Sequence, residues 1–334
     1  MAEEEGGQRR LPAAALADES DLHVQQGMRR GQSDLGTEWG RPLDRAASAV
    51  RPVRRVGRMT SSAAPADPLA ALGELPGVPE PVASVRKAVD RVYGHRVMRR
   101  RSSEVTGEAA LRGARASAAL DGTDWALEEV RRRSDFGSDP EARTVGAALR
   151  ATAESGQLLD VWKQSPLRVL ARLHLVAAGG AAADDRVGRP RRAGEPVEGS
   201  EFGVSLPEAE EVSARLDGLA DLVVRGTAAP ALVTAAVVHG ELVALRPFGS
   251  YNGVVARAAE RLVLVGSGLD PKSICPAEVG AVEQGADAYA EALRGYASGR
   301  PEGVAGWIAF CGRSVELGAR ESTAVCEALQ RGAA

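Results

Sequence analysis

Apolar residues recur at every third or fourth position along most of the chain after Pro81, and this spacing limits the folds open to it. Two such series are Val82, Val85, Val89, Val92 and Val212, Leu216, Leu219, Val223. Because residues three or four apart share one face of an α-helix, each series predicts a helix with an apolar face. Strand patterns are nearly absent, and no repeat of about 20 to 50 residues occurs. The sequence therefore predicts an all-α fold.

Prolines and glycines mark the expected helix ends. We expect helices over 103–120, 124–133, 140–162, 166–178, 230–245, 252–265, 276–296 and 304–329. The glycine-rich and charged stretch 179–205 predicts a long loop with a short hairpin. Residues 1–78 contain few large apolar side chains and predict a disordered arm. Met59 resembles an alternative start, which would make the residues before it an extension of the gene model. Beyond the arm we expect an N-terminal helical region, 79–163, and a core, 164–334.

Charge and composition argue against several classes of protein. The 334 residues carry 42 Lys+Arg against 45 Asp+Glu, so no strong overall field attracts nucleic acid or an anionic membrane. No apolar run approaches the roughly 18 to 20 residues of a membrane span. The three cysteines form no C-x-x-C pair. We therefore expect a cytoplasmic protein that binds neither nucleic acid nor membrane.

The most informative segment, 246–257, joins two expected helices through a turn that contains Pro247. The start of the second helix exposes unpaired N–H groups and the positive end of a helix dipole, which together favour an anion. Asn252 and Gly253 would let the backbone approach a phosphate. Spacing alone favours a simpler interpretation, in which Pro247 ends one helix and Ser250 caps the next.

This segment resembles the core motif of the Fic (Fido-domain) family, H-P-F-x-[DE]-G-N-G-R-x-x-R. The positions that match are Pro247, Phe248, Asn252, Gly253 and Arg257. Upstream, Leu173-His174 and the loop 188–191 resemble the family's approach to its flap. The resemblance covers roughly 102–300 and implies a Fido helical domain with a short β-hairpin flap. A protein target would dock on this flap, around 188–204.

In that family the motif His accepts a proton from a target hydroxyl, which attacks the α-phosphate of ATP and receives AMP. An acidic residue holds Mg²⁺, and the resemblance therefore implies ATP and Mg²⁺ as cofactors. It also implies nucleotide- or phosphate-binding roles for Arg246, Phe248, Gly249, Ser250, Tyr251, Asn252, Gly253 and Arg257.

The chain departs from the motif where the chemistry takes place. Arg246 stands at the His position and Ser250 at the acidic position, while Tyr251 and Val254 replace a Gly and an Arg. A guanidinium is not a base near neutrality, and loss of general-base help costs about 10² to 10⁴ in rate. A neutral hydroxyl also weakens an Mg²⁺ site. We therefore assign no catalytic residue and no metal ligand.

These departures predict a pseudoenzyme: an AMP transferase that is weak or inactive and keeps an anion pocket for a nucleotide or phosphate. One alternative is an active nucleotidyl or phosphoryl transferase with an unusual base; His174 and His239 are the candidates, and His239 is better explained as a packed core residue. The other alternative is a protein-interaction module without a ligand.

A second resemblance concerns regulation. Family members with a built-in brake carry [ST]-x-x-x-E-[GN] before the core, and Ser117 to Gly122 follow this pattern with Asp121 in place of Glu. The resemblance implies an inhibitory helix and predicts an ion pair between Asp121 and Arg257. Asp121 and Gly122 also read as an ordinary helix end, and both interpretations can hold together.

Overall fold

The computed structural model describes residues 67–179, 184–199 and 202–332. In these ranges the α-helices are α1 (Pro68–Gly73), α2 (Pro79–Tyr93), α3 (Ser102–Leu120), α4 (Leu127–Arg132), α5 (Pro140–Ser155), α6 (Leu159–Trp162), α7 (Pro166–Ala178), α8 (Ala209–Arg225), α9 (Ala231–Leu245), α10 (Asn252–Gly266), α11 (Ala277–Gln284), α12 (Ala286–Ala297) and α13 (Pro301–Arg331). Short 3₁₀ helices occur at Arg96–Arg99 and Asp184–Arg186. The described residues include no strand, and the predicted all-α class is confirmed.

Helices α9 and α10 form the centre of the fold. Each has 15 residues, of which 12 are buried, so neighbouring helices must cover both almost completely. Helix α9 packs against α10, α12 and α13, and α10 also packs against α3, α5 and α7. The turn that joins α9 to α10 is therefore anchored at both ends by packed helices.

Helices from the predicted N-terminal region and the predicted core pack against one another. Helix α3 contacts α5, α10 and α11, and α5 also contacts α7. The 31-residue helix α13 runs along α2, α9, α11 and α12. None of the helices in the described ranges combines the length and apolar character needed to cross a bilayer.

The expectation of disorder over 1–78 is wrong for 67–78, and residues 1–66 lie outside the described residues. Asp67 caps α1, because its Oδ1 accepts hydrogen bonds from the backbone N–H groups of Leu69 (3.1 Å) and Ala70 (3.3 Å). Its Oδ2 accepts one from Thr227 Oγ1 at 2.7 Å. Leu69 is buried and Val78 is fully buried, so this short stretch does contribute apolar surface to the core.

Two predicted helices are each divided in two. The stretch 140–162 forms α5 and α6, with Gly156 at the end of α5. The stretch 276–296 forms α11 and most of α12, with Gly285 between them at φ 96°. Glycine is a weak helix former, and a positive φ cannot continue a right-handed helix. Apolar spacing alone did not reveal either break.

Candidate functional site

The turn between α9 and α10 begins and ends with residues in the left-handed conformation. Arg246 ends α9 with φ 44°, and Tyr251 precedes α10 with φ 53°. A non-glycine residue in this conformation costs about 1–2 kcal/mol. The surrounding contacts must therefore hold the turn in place.

Asn252 is one of these contacts. Its Oδ1 accepts a hydrogen bond from the N–H of Phe248, and its Nδ2 donates one to the carbonyl oxygen of Phe248, both at 2.8 Å. The Asn252 side chain is buried and closes the turn upon itself. Its role is thus to shape the backbone.

A second set of contacts comes from the segment 184–199. Arg191 donates from Nε to the carbonyl oxygen of Arg246 (3.0 Å) and from its backbone N–H to that of Pro247 (2.7 Å). The backbone N–H of Glu198 donates to the carbonyl oxygen of Gly249 at 2.8 Å. With the Asn252 bond, each carbonyl from 246 to 249 has a hydrogen-bond donor.

A cavity of about 210 Å³ lies beside the turn. Its wall includes Asp121, Arg143, Arg246, Ser250, Tyr251, Asn252 and Gly253. Helix α10 begins at this wall, and the side chain of Tyr251 makes no capping hydrogen bond there. The first N–H groups of a helix have no partner within it, so this wall combines backbone donors and the positive helix end with two guanidinium groups. It also contains two carboxylates, Asp121 and Glu198, of which Asp121 is paired with Arg257. Such a wall favours an anion.

The ion pair predicted between Asp121 and Arg257 is present. Arg257 Nη2 lies 2.9 Å from Asp121 Oδ2, and Arg257 also donates from Nε to Ser117 Oγ (2.8 Å) and from Nη2 to Ser117 O (2.9 Å). Burial favours a lower pKa for Arg257, but the charge of Asp121 contributes in the opposite direction and the pKa is raised. The end of α3 is thereby fastened to α10.

Gly253 makes room for this pair. A Cβ at Gly253 would lie 2.5 Å from Asp121 Oδ1 and 2.8 Å from Arg257 Nη1, closer than side-chain atoms tolerate. Arg257 Nη1 is buried and has no hydrogen-bond partner among the described residues. The glycine therefore sits where the pair meets the start of α10.

His174 is held as a neutral ring. Its Nδ1 accepts a hydrogen bond from the N–H of Gly188 at 3.0 Å, its Nε2 lies 3.4 Å from Ser250 Oγ, and burial lowers its pKa to about 4. Because Nδ1 is the acceptor, the single proton of the neutral ring resides on Nε2 and points to Ser250. His174 cannot accept a proton through Nε2 in this arrangement.

Other predicted residues lie away from the cavity. Phe248 is buried and stacks on His174 with ring centroids 4.3 Å apart, and the cavity walls formed by described residues do not include it. Gly122 has φ 93° and follows the end of α3. His239 is buried in the core, with Nε2 2.8 Å from Tyr289 Oη and Nδ1 2.9 Å from Glu260 Oε2. The predicted packed role of His239 fits this position.

The predicted β-hairpin flap is not found. The described residues of 188–204 include no strand, and residues 200 and 201 lie outside the description. Backbone bonds from this segment run instead to the turn, through Arg191 and Glu198.

A larger cavity of about 860 Å³ adjoins the other side of the turn. Three arginines in its wall, Arg143, Arg150 and Arg186, were not predicted as site residues. Arg143 and Arg150 lie seven positions apart on α5, a spacing that places them on one helix face. This spacing could have indicated from the sequence that Arg143 and Arg150 line the same surface. The position of Arg186 in the cavity wall depends instead on the path of the long loop.

The arrangement of helices is that of Fic proteins. The chain is similar to a Fic family protein from Desulfovibrio desulfuricans G20, with 20% identity, 75% of each chain covered and a TM-score of 0.61. It is also similar to Fic-1 (residues 134–508) from C. elegans, with 16% identity, 75% of this chain and 72% of that chain covered, and a TM-score of 0.53. A Fic domain containing signaling protein from Bacteroides thetaiotaomicron VPI-5482 shares 13% identity over 74% of this chain and 98% of its own, with a TM-score of 0.50.

No protein-family model and no curated protein matches the sequence. At these identities the likeness establishes the fold, and the chain has the Fic fold.

Proposed function

We propose that the protein binds a nucleotide or another phosphate compound beside the α9–α10 turn, and that it transfers AMP slowly or not at all. The observation that carries the proposal is the 210 Å³ cavity, whose wall combines the uncapped start of α10 with Arg246 and Gly253. Backbone N–H groups at a helix start and a guanidinium are the donors that bind phosphate most often.

The proposed loss of activity rests on the absence of a suitable base. Arg246 stands where the resemblance expects His, and a guanidinium stays protonated at any physiological pH. His174 lines the adjoining cavity, but its free lone pair is engaged by the N–H of Gly188. His239 lies in the core, paired with Tyr289 and Glu260. None of the three is placed to take a proton from a hydroxyl group in the small cavity.

The residues of the turn do not fit the Mg²⁺ that the fold family implies. Two carboxylates, Asp121 and Glu198, contribute to the wall formed by described residues, and Asp121 is already paired with Arg257. Ser250 offers only a neutral oxygen, and Mg²⁺ prefers charged oxygen ligands. Arg246 and the helix start would instead neutralise the phosphate directly.

The contact between Asp121 and Arg257 suggests how binding is restrained. In this proposal Asp121 occupies the guanidinium that a terminal phosphate would otherwise reach, so the pair acts as a brake. We expect Asp121→Asn, which keeps the size and removes the charge, to increase the affinity for ATP while that for AMP stays the same. Equal changes for both ligands would contradict a brake on the terminal phosphate. Isothermal titration calorimetry measures both affinities.

The binding proposal is tested by calorimetric titration of the full chain with ATP, ADP and AMP. We expect measurable binding, at least tenfold weaker in Arg246→Ala, since a charge-assisted hydrogen bond contributes about 1.5–3 kcal/mol. Arg132→Ala is the matched control, because Arg132 is 83% exposed on α4. No heat at millimolar ligand would reject the proposal. Incubation of the protein with labelled ATP and Mg²⁺ tests the proposed loss of AMP transfer. Rapid incorporation of label into protein would show that the transfer activity survives.

A further inference from the structure

The 860 Å³ cavity on the far side of Tyr251 has a positively charged wall. Helix α5 contributes Arg143 and Arg150 to this wall, and the 3₁₀ helix Asp184–Arg186 contributes Arg186. The described lining residues include one carboxylate, that of Glu198. The rest of the wall is mainly small or polar, with His174, Ser250 and three glycines. A concave site with an excess of one charge concentrates ligands of the opposite charge.

Arg150 has a structural role in this wall. It donates from Nε to the carbonyl oxygen of Val176 (2.7 Å) and from Nη2 to that of Ala177 (2.8 Å), at the end of α7. Gly179 adopts φ 52° beside it, where a Cβ would lie 2.5 Å from Arg150 Nη2. Arg150 thus closes the last turn of α7 and is not the group that awaits a ligand.

Arg143 and Arg186 are different. Both side chains are partly buried, and neither guanidinium group makes a hydrogen bond or ion pair within the part of the chain that the structure describes. Most arginines of the described chain that are buried to this extent have an acceptor, as the pair between Arg189 and Glu195 illustrates at 2.7 Å. A guanidinium without an acceptor inside a cavity is a natural partner for phosphate oxygens.

The two cavities are neighbours. Arg143, Glu198, Ser250 and Tyr251 belong to the walls of both. The larger volume far exceeds the needs of a single phosphate group and lies in the range of sites for small organic ligands. A ligand with one phosphate beside the turn can therefore extend past Tyr251 toward Arg186.

Building on the proposed function, we propose that the larger cavity is a second phosphate subsite, so that the preferred ligand is a small molecule with phosphate groups at both ends. Arg186 binds the distal phosphate, Arg143 lies between the two subsites, and the start of α10 with Arg246 binds the proximal phosphate.

Calorimetry with two probes that differ by one phosphate tests this. We expect adenosine 3′,5′-bisphosphate to bind the full chain at least tenfold more tightly than AMP, which corresponds to about 1.4 kcal/mol. Arg186→Ala should abolish this preference and leave the affinity for AMP unchanged, while Arg132→Ala should preserve both. Because Arg186 has no partner to lose within the described chain, we expect its variant to melt like the unmodified protein.

Each outcome discriminates. Binding of both probes with affinities within twofold, or a preference that survives Arg186→Ala, overturns the second subsite and leaves the proposed function standing. Binding of neither probe overturns both. A preference that Arg186→Ala removes and that weakens as salt rises supports the second subsite, since phosphate contacts with arginine are screened by salt.

Discussion

The two sides of the α9–α10 turn are built in opposite ways. On the side of α3, Arg257 is enclosed, and Asp121 and Ser117 satisfy its Nε and Nη2 groups. On the side of α5, Arg143 and Arg186 face a large cavity without a partner in the described ranges. Arginine thus connects two helices on one side of the turn and offers hydrogen-bond donors to a cavity on the other. The comparison shows that arginine alone does not mark a binding surface. A buried and paired arginine holds the structure together, whereas an arginine without an acceptor that lines a cavity is available to a ligand.

The largest expected effect tests the fastened side. Asp121→Ala leaves the charge of Arg257 uncompensated in the protein interior, and we expect it to lower the free energy of unfolding by about 3–5 kcal/mol. Glu283→Ala is the matched control, because Glu283 pairs with Arg320 at the surface, where side-chain exposures are 44% and 62%. That loss should stay below about 1 kcal/mol. Urea denaturation measures both.

A second substitution separates charge from fold damage. Adding Arg257→Met to Asp121→Ala removes the unpaired charge, so the double variant should regain much of the lost stability. A double variant that is less stable than Asp121→Ala alone would show that Arg257 contributes mainly through packing.

Gly253→Ala probes the space between the pair and the turn. The new Cβ would lie 2.5 Å from Asp121 Oδ1, and we expect a loss of about 1–3 kcal/mol from overpacking. Gly107→Ala in α3 is the control, because no heavy atom lies within 4 Å of its added Cβ. That change should stabilise the protein by about 0.5–1 kcal/mol, since alanine is the better helix former. Thermal and urea unfolding of both variants would give opposite signs.

His174 lines the larger cavity and allows that side of the turn to be tested through the dependence of stability on pH. Burial lowers its pKa from 6.5 to about 4, so between these values the unfolded chain binds more protons than the folded one. This contribution to stability is fully present at pH values well above 6.5 and is lost as the pH falls, by about 1 kcal/mol between pH 6.5 and 5.5. His174→Gln should flatten this part of the pH profile. Urea midpoints that fall equally steeply in both proteins would refute the assignment.

The smallest expected effect concerns Tyr251. Both Tyr251→Gly and Tyr251→Ala remove the ring, but only glycine adopts φ 53° without strain. We expect the glycine variant to be about 1 kcal/mol more stable than the alanine variant, with less than about 1 kcal/mol between glycine and tyrosine. An alanine variant as stable as the glycine variant would mean that the turn has relaxed. Urea midpoints resolve the comparison.

The helical class and the pairing of Asp121 with Arg257 could be predicted from the sequence, for different reasons. Helices follow from local apolar spacing, as in Val82, Val85, Val89 and Val92. The ion pair followed from the order of two short patterns, Ser117 to Gly122 and 246–257, in a resemblance to a known family. Both predictions needed only the residues within short segments of the sequence.

The larger cavity beside α5 could not be predicted from the sequence in the same way. Its wall brings together α5, the end of α7, Arg186 and the turn, which are far apart in the chain. The pairing of Arg191 with the turn also depends on the path of a long loop, which apolar spacing does not define. For Phe248 the motif position predicts a ligand contact, which stays a prediction, while the stacking of its ring on His174 depends on packing that the motif does not describe.

The hydrogen bonds accepted by the carbonyls from 246 to 249 have one more consequence. Potassium, calcium and other hard cations are often held by main-chain oxygens that replace their water shell. Here Arg191 has taken two of those oxygens, and Glu198 and Asn252 have taken one each. A cation arriving at the turn would have to compete with these donors for every oxygen. The four carbonyls of the turn therefore offer a hard cation less than main-chain oxygens without donors would.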